Sequence, residues 1–299
     1  MIACALALLA GPVRAGADWP GSPLSGKAVV APPEAAAPAP GAPFPATPVP
    51  GAAPPSAALP DPAQKTGRLA APECVSSRPA LATTGELRRT GERLAAGQPL
   101  RILAIGSSTT EGVGATSPAH GYPARLEQEL ERLLPHAKVE MRVSGVGGET
   151  AAQTLARLER ELERHRPDLV IWQVGTNDAL SDVAEDAFRA LLDRGVSAVA
   201  VSGADLILMN QQFFPSIRRR ARYERFVKLV EEAGLSRRAC VFNRYALMQR
   251  WGEGSAETLR SMLAADGFHM SDRGYACMAR VLADEIVRAA WSGAGANAM

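Results

Sequence analysis

From residue 86 onward the chain alternates two hydrophobic periods. Short apolar runs end in glycine or a polar residue. Between them lie longer stretches in which leucine or another apolar residue recurs every three or four positions. The run 100–105 (LRILAI) is short, branched and stops at Gly106, which predicts a buried strand. Further runs at 139–143, 169–174, 206–209 and 240–242 predict four more. Helical spacing is clear in 122–134 (Leu126, Leu130, Leu133, Leu134) and in 150–165 (Leu155, Leu158, Leu162). Helices are also expected over 86–96, 184–201, 220–233 and 272–290. Strands that alternate with helices predict a parallel sheet covered on both faces, with right-handed crossovers. Ligands of such sheets bind beyond the carboxyl ends of the strands. That rule selects the loops that matter.

The rest of the chain differs in texture. Of 23 prolines, 17 lie between Pro12 and Pro79, so the N-terminal quarter is not ordinary folded domain. Residues 1–10 are apolar and are followed by small-residue sites at Val13-Arg14-Ala15 and Ala15-Gly16-Ala17. These read as the apolar stretch and cleavage site of a signal peptide over 1–17, although nothing basic precedes Arg14. The alternative is a plain apolar N-terminus. Residues 18–72 are mostly Ala, Pro, Gly and Ser, which bury too little area to offset ordering entropy. A semi-rigid linker is expected over 18–80, with the folded domain at 81–299. The expected location is therefore exported, periplasmic or secreted.

Charge narrows the function classes. Lys and Arg total 33 against 31 Asp and Glu, so no electrostatic footprint for nucleic acid is present. Aromatic content of 5% disfavours stacking platforms for single strands. Past the first dozen residues no apolar run is long enough to span a bilayer. Cys74, Cys240 and Cys277 remain once Cys4 is set aside with the leader, and they have no metal-ligand spacing. Buried thiols are the default expectation for them; a disulfide from Cys74 to one of the others is the alternative.

Four loops fall at the selected rim: Gly106-Ser107-Ser108, Gly145-Val146-Gly147-Gly148-Glu149-Thr150, Gly175-Thr176-Asn177-Asp178, and Asp266-Gly267-Phe268-His269. A hydroxyl that attacks an acyl group needs a base, the base needs an orienting carboxylate, and the intermediate needs preorganised donors. Ser108, His269 and Asp266 suit the first three roles. The glycines up to Gly148 offer an open backbone N–H, and Asn177 offers a side-chain amide. His120, His136 and His165 have no neighbouring acid in the sequence and read as surface residues. The bland readings are a turn at Gly145–Gly148, a turn at Asp266-Gly267, and Ser271 as a helix cap. A nucleophile elbow, a phosphate-binding loop and a dinucleotide fingerprint are all missing from their expected places.

Taken in order, the four loops resemble the four blocks of the SGNH (or GDSL) hydrolase family across about residues 99–290. The resemblance implies a flavodoxin-like, three-layer α/β/α sandwich with a five-stranded parallel sheet. It implies ester hydrolysis by Ser108, His269 and Asp266, without metal or other cofactor. It also implies an oxyanion hole made by the Ser108 N–H, the Gly148 N–H and the Asn177 side chain; a different register in this glycine run would make Gly145 or Gly147 the donor instead. Two departures stand out. Ser107 replaces the family aspartate, which should change local hydrogen bonding rather than abolish activity. Val143 stands where the family often has Asn, which leaves the bonding of the second loop open.

The leading functional expectation is a serine ester hydrolase acting on small acyl esters, acetyl groups on carbohydrate among them. One alternative is an O-acyltransferase with the same triad and a sugar hydroxyl as acceptor; product analysis separates the two. The other is a tethered binding module with a silent site, against which the intact Ser108, Asp266, His269 and Asn177 argue. The cluster Arg218–Arg222 reads as the solvated start of a helix, with contact to anionic polysaccharide or lipid headgroups as the lesser reading.

Overall fold

The computed structural model describes Cys74, residues 81–82 and residues 86–294. The expected leader and linker lie outside the described residues, Cys74 and the linker's boundary apart. Strands β2 (Leu100–Gly106), β3 (Val139–Gly145), β4 (Leu169–Gln173), β5 (Asp205–Met209) and β6 (Cys240–Phe242) form the expected five-stranded parallel sheet. A two-residue strand, β1 (Leu81–Ala82), adds an antiparallel edge on β6 that the hydrophobic pattern does not announce. The order is β1-β6-β5-β4-β2-β3. Within the parallel set, β2 is flanked by β3 and β4, so the strand order reverses there. The crevice beyond the carboxyl ends of β2 and β4 is the place where this topology admits a ligand.

Alternation along β2 assigns its side chains to two cores. Ile102 and Ala104 face one cluster with α3 (Tyr122–Leu133), α8 (Arg244–Gly254), α9 (Ala256–Met262) and α10 (Asp272–Ala294). Leu103 and Ile105 face the other, with α4 (Ala151–His165), α6 (Glu185–Ser202) and α7 (Arg220–Arg237). The result is the expected three-layer sandwich. Helix α1 (Arg88–Ala95) packs on the α10 side. Leu87, at its start, supplies no cap; Asp205 of β5 accepts from the Arg89 and Thr90 backbone N–H groups at 3.2 and 2.7 Å instead.

Two expectations need correction. Cys277 is not a buried thiol: it forms a disulfide with Cys74, the Cα atoms 5.1 Å apart and 203 residues separated in sequence. Only the fold brings those positions together, so spacing carries no signal of it. Cys240 is a buried thiol in β6, as expected. The arginine cluster is not simply solvated either. Arg222 lies over the Phe226 ring at 4.6 Å and donates to the carbonyls of Asp178, Ala179, Ser181 and Val183. Arg219 pairs with Asp182 at 3.0 Å. These side chains pin α7 to the connection between α5 (Thr176–Leu180) and α6. Among the described residues no helix is long and apolar enough to cross a membrane.

Candidate active site

The first loop begins where β2 runs out. Ser107 precedes α2 (Ser108–Glu111), and its carbonyl accepts from the Thr110 and Glu111 N–H groups at 3.0 Å, which folds the turn. Ser107 is buried. Its N–H donates to Gln173 Oε1 at 2.8 Å, and Gln173 Nε2 donates to its hydroxyl at 3.1 Å. The residue that departs from the family pattern is thus satisfied by an amide at the end of β4. Ser108 begins the helix and points the other way.

The loop between α9 and α10 carries Asp266 and His269. Asp266 Oδ1 accepts from the Phe268 and His269 N–H groups, both at 2.9 Å. Its Oδ2 lies 2.6 Å from His269 Nδ1. A carboxylate only accepts, so Nδ1 carries the hydrogen and the Nε2 lone pair is left for Ser108 Oγ, 3.0 Å away. That spacing is within reach for general-base transfer. Burial pushes the Asp266 carboxyl up, but the hydrogen bonds from the His269 ring and from two backbone amides outweigh it. The group ends below the ordinary aspartate value. Ser271 Oγ also accepts from the Gly274 N–H at 3.3 Å, so the helix-cap reading holds beside the catalytic one.

The second loop supplies the open amide. Gly145 packs so closely on α2 that a Cβ there would collide with the Glu111 backbone. The Gly147 N–H donates to Glu111 Oε2 at 2.7 Å. Gly148 differs from both. Its φ of +78° favours glycine, nothing lies within 4 Å of where its Cβ would be, and its N–H has no partner among the described residues. Arg157 of α4 answers the question raised by Val143: it donates to the Gly106 carbonyl at 2.9 Å and Ser144 Oγ at 2.6 Å, and also pairs with Glu149.

Asn177 sits in the first turn of α5 and donates one of its two amide hydrogens to the Glu149 carbonyl at 2.7 Å. The other hydrogen has no acceptor among the described residues. Asn177→Ala is expected to lower kcat by ~10²- to 10³-fold with little change in KM, as for other oxyanion donors. Steady-state kinetics check this; a change confined to KM would make Asn177 a binding residue.

Asp178 is buried behind this turn and accepts from the Ala151 N–H at the start of α4, with both oxygens at 3.0 Å. Burial pushes its carboxyl up to about 6 against that hydrogen bond. A raised carboxyl favours the fold while protonated and loses that contribution as pH climbs through about 6. Unfolding free energy should therefore fall by at most about 3 kcal/mol between pH 4 and 6.5 on this account. Denaturant titrations of the wild type beside Asp178→Asn check it, since the variant lacks that part of the slope.

A cavity of about 460 Å³ opens beside the His269 loop, lined by Leu180, Phe214, Ile217, Arg218, Tyr223 and Phe268. Phe268 packs edge-on to Phe214 at 4.8 Å and to the His269 ring at 4.6 Å. A larger hollow of about 1030 Å³ lies at the opposite end of the sheet, among Arg89, Arg101, Glu163, Arg166 and Arg194. It is remote from these loops. Among the described residues no group of three or more His, Cys, Asp or Glu is placed to hold a metal ion.

All five residues singled out by sequence (Ser108, Asp266, His269, Gly148 and Asn177) therefore lie on the same rim. Ser108, His269 and Asp266 are in hydrogen-bonded series, and Asn177 is joined through Glu149 to the loop of Gly148. His120, expected to lack an acid, meets Asp272 at 2.9 Å through the fold. Sequence reasoning missed Glu111, Arg157, Gln173, Gln212 and Arg244. Gln173 alone left a trace, as an amide inside an otherwise apolar strand.

Comparison with known proteins bears on the family and the fold. The family model described as "Non-GDSL lipase-like family" matches residues 73–292. An arylesterase from Vibrio mimicus is 25% identical over 197 residues, covering 63% of this chain and 88% of that protein. A lipase/acylhydrolase from Enterococcus faecalis superposes with a TM-score of 0.50 at 25% identity, over 62% of this chain and 95% of that one. A variant of an acetyl xylan esterase from Geobacillus stearothermophilus gives 0.53 at 22% identity, over 62% and 94%.

Proposed function

Since the chain belongs to the non-GDSL lipase-like family and is a carboxylic ester hydrolase of the SGNH type, we propose that it cleaves small acyl esters through Ser108, His269 and Asp266. The observation that carries this reading is the continuous series from Asp266 Oδ2 through the imidazole to Ser108 Oγ. Ser108 Oγ attacks the ester carbonyl carbon, and its proton passes to His269 Nε2. The carbonyl oxygen becomes an oxyanion that accepts from the Ser108 and Gly148 N–H groups and the second Asn177 hydrogen. Collapse breaks the C–O bond to the alcohol, which leaves with the proton from His269. Water then attacks the acyl-Ser108 ester, gives its proton to His269, and releases the acid while Ser108 recovers its hydrogen.

The apolar cavity beside Phe268 supports an apolar acyl or aryl part. Its volume of about 460 Å³ is far more than an acetyl group fills. Acetyl groups on carbohydrate are thus the second reading, in which the cavity takes part of the sugar. Hydrolysis rather than transfer is favoured because the similar proteins are an arylesterase, a lipase/acylhydrolase and an acetyl xylan esterase. The expected location is outside the cytoplasm, a reading that the Cys74–Cys277 disulfide supports.

The test is hydrolysis of p-nitrophenyl esters of rising acyl length beside acetylated xylan. An optimum at chains of several carbons, shortened by Ile217→Trp, supports the cavity as the acyl site. Activity on acetylated polymer alone would establish the second reading instead.

A further inference from the structure

We infer that Arg244, on a helix that carries no member of the triad, is the positioning residue that holds nucleophile, oxyanion donor and base in register. The inference rests on the Ser108 reading above.

Arg244 opens α8 and is fully buried, at 0% exposure. Its Nε–H donates to the Asn210 carbonyl, just beyond β5, at 3.0 Å. One terminal nitrogen donates to Thr109 Oγ1 at 2.8 Å, and the other lies 3.4 Å from Thr176 Oγ1. Thr109 follows Ser108, and Thr176 precedes Asn177. The Thr109 hydroxyl in turn donates to Gln212 Oε1 at 3.2 Å, and Gln212 Nε2 donates to the Phe268 carbonyl at 3.3 Å. Phe268 precedes His269. A single guanidinium thereby reaches the three loops that must agree on one geometry.

Packing does not account for an arginine here. Each oxygen it bonds is neutral, and a buried charge without a carboxylate is costly. Burial pushes the guanidinium down to about 10, so it stays charged at neutral pH. An apolar side chain would fill the space at lower cost. What it could not do is donate in several fixed directions at once, which a planar guanidinium does. Lysine keeps the charge but is a point donor on a flexible stem.

The test compares Arg244→Lys, Thr109→Val, Thr176→Val and Ser108→Ala in the full chain. Three readouts are taken: kcat and KM on p-nitrophenyl butyrate, the rate of covalent capture by a fluorophosphonate, and the melting temperature. Arg244→Lys should lower kcat and the capture rate by ~10- to 100-fold per folded molecule, with KM within about twofold, because misplacement near 1 Å has effects of that size. Thr109→Val should lower both by about tenfold, and Arg244→Lys combined with Thr109→Val should lose no more than Arg244→Lys alone, since both cut the Arg244–Thr109 connection. A purely structural arginine predicts a lower melting temperature with wild-type kcat and capture rate in the folded fraction; that result overturns the inference. If Arg244→Lys does not fold, the two threonine variants decide by the same readouts. Wild-type activity in Ser108→Ala is a separate result that overturns the triad reading and this inference with it.

Discussion

Ser108→Ala is expected to lower kcat by on the order of 10⁴- to 10⁶-fold while leaving KM and the melting temperature close to wild type. The size follows from chemistry: among the described residues no other hydroxyl stands within hydrogen-bond reach of His269 Nε2. Stability should hold because the Ser108 side chain bonds His269 and takes no part in either core cluster. The proposed donors, Gly148 and Asn177, remain in the variant, so activity above the uncatalysed rate should persist, as it does in other triads that lose one member. p-Nitrophenyl ester turnover and thermal melting measure both halves of the claim. Turnover at wild-type level would remove Ser108 from the mechanism.

Asp266→Asn should have the next largest effect. In the wild type a carboxylate that can only accept forces the hydrogen onto Nδ1 and turns the Nε2 lone pair toward Ser108. An amide NH₂ at the same place can donate to Nδ1 and stabilise the other tautomer, whose Nε2–H cannot take a proton from Ser108. In a serine protease the corresponding change costs ~10⁴ in kcat. Here the Asp266 side chain is 47% exposed, so solvent screens the charge part of its action and leaves the tautomer part. A fall of about 10³-fold is therefore expected. Asp266→Ala should fall less than Asp266→Asn, because it abolishes orientation without imposing the wrong tautomer. The reverse order in a kinetic comparison would show that charge, not tautomer, is what Asp266 supplies.

Much of this architecture is legible in the sequence because the strands are short, apolar and separated by helices with leucine spacing. β2 and β4 could be placed from LRILAI and LVIWQV, and once they were placed the loops after them became the loops to read. The residues proposed for catalysis were legible for the same reason, since each stands within a few residues of a strand end or helix start. The interactions that hold them were not. Arg244 follows β6 in a segment without a clear apolar period, and nothing local says that its guanidinium is buried beneath Thr109 and Thr176. Glu111 stands in the first loop, but its hold on Gly147 depends on how closely β3 approaches α2. β1 is two residues long, too short for any period to show. The arginines at 219 and 222 looked solvated because charge runs usually are; here the carbonyls at the end of α5 and in the connection to α6 receive them.

The disulfide also decides how the domain would bear mechanical load. A pull on the chain ahead of Cys74 reaches the domain at Cys277, partway along α10, through a covalent bond. Helix α10 packs against α1, α3 and α9, so the force is shared across one layer of the sandwich. With the bond reduced, the same pull passes to Leu81–Ala82 and its pairing with Val241 and Phe242. Two residues of edge pairing hold little on their own. Such an edge peels one hydrogen bond at a time and would expose β6. The Cys74–Cys277 bond therefore sets the direction from which the domain can be tugged without unzipping its sheet.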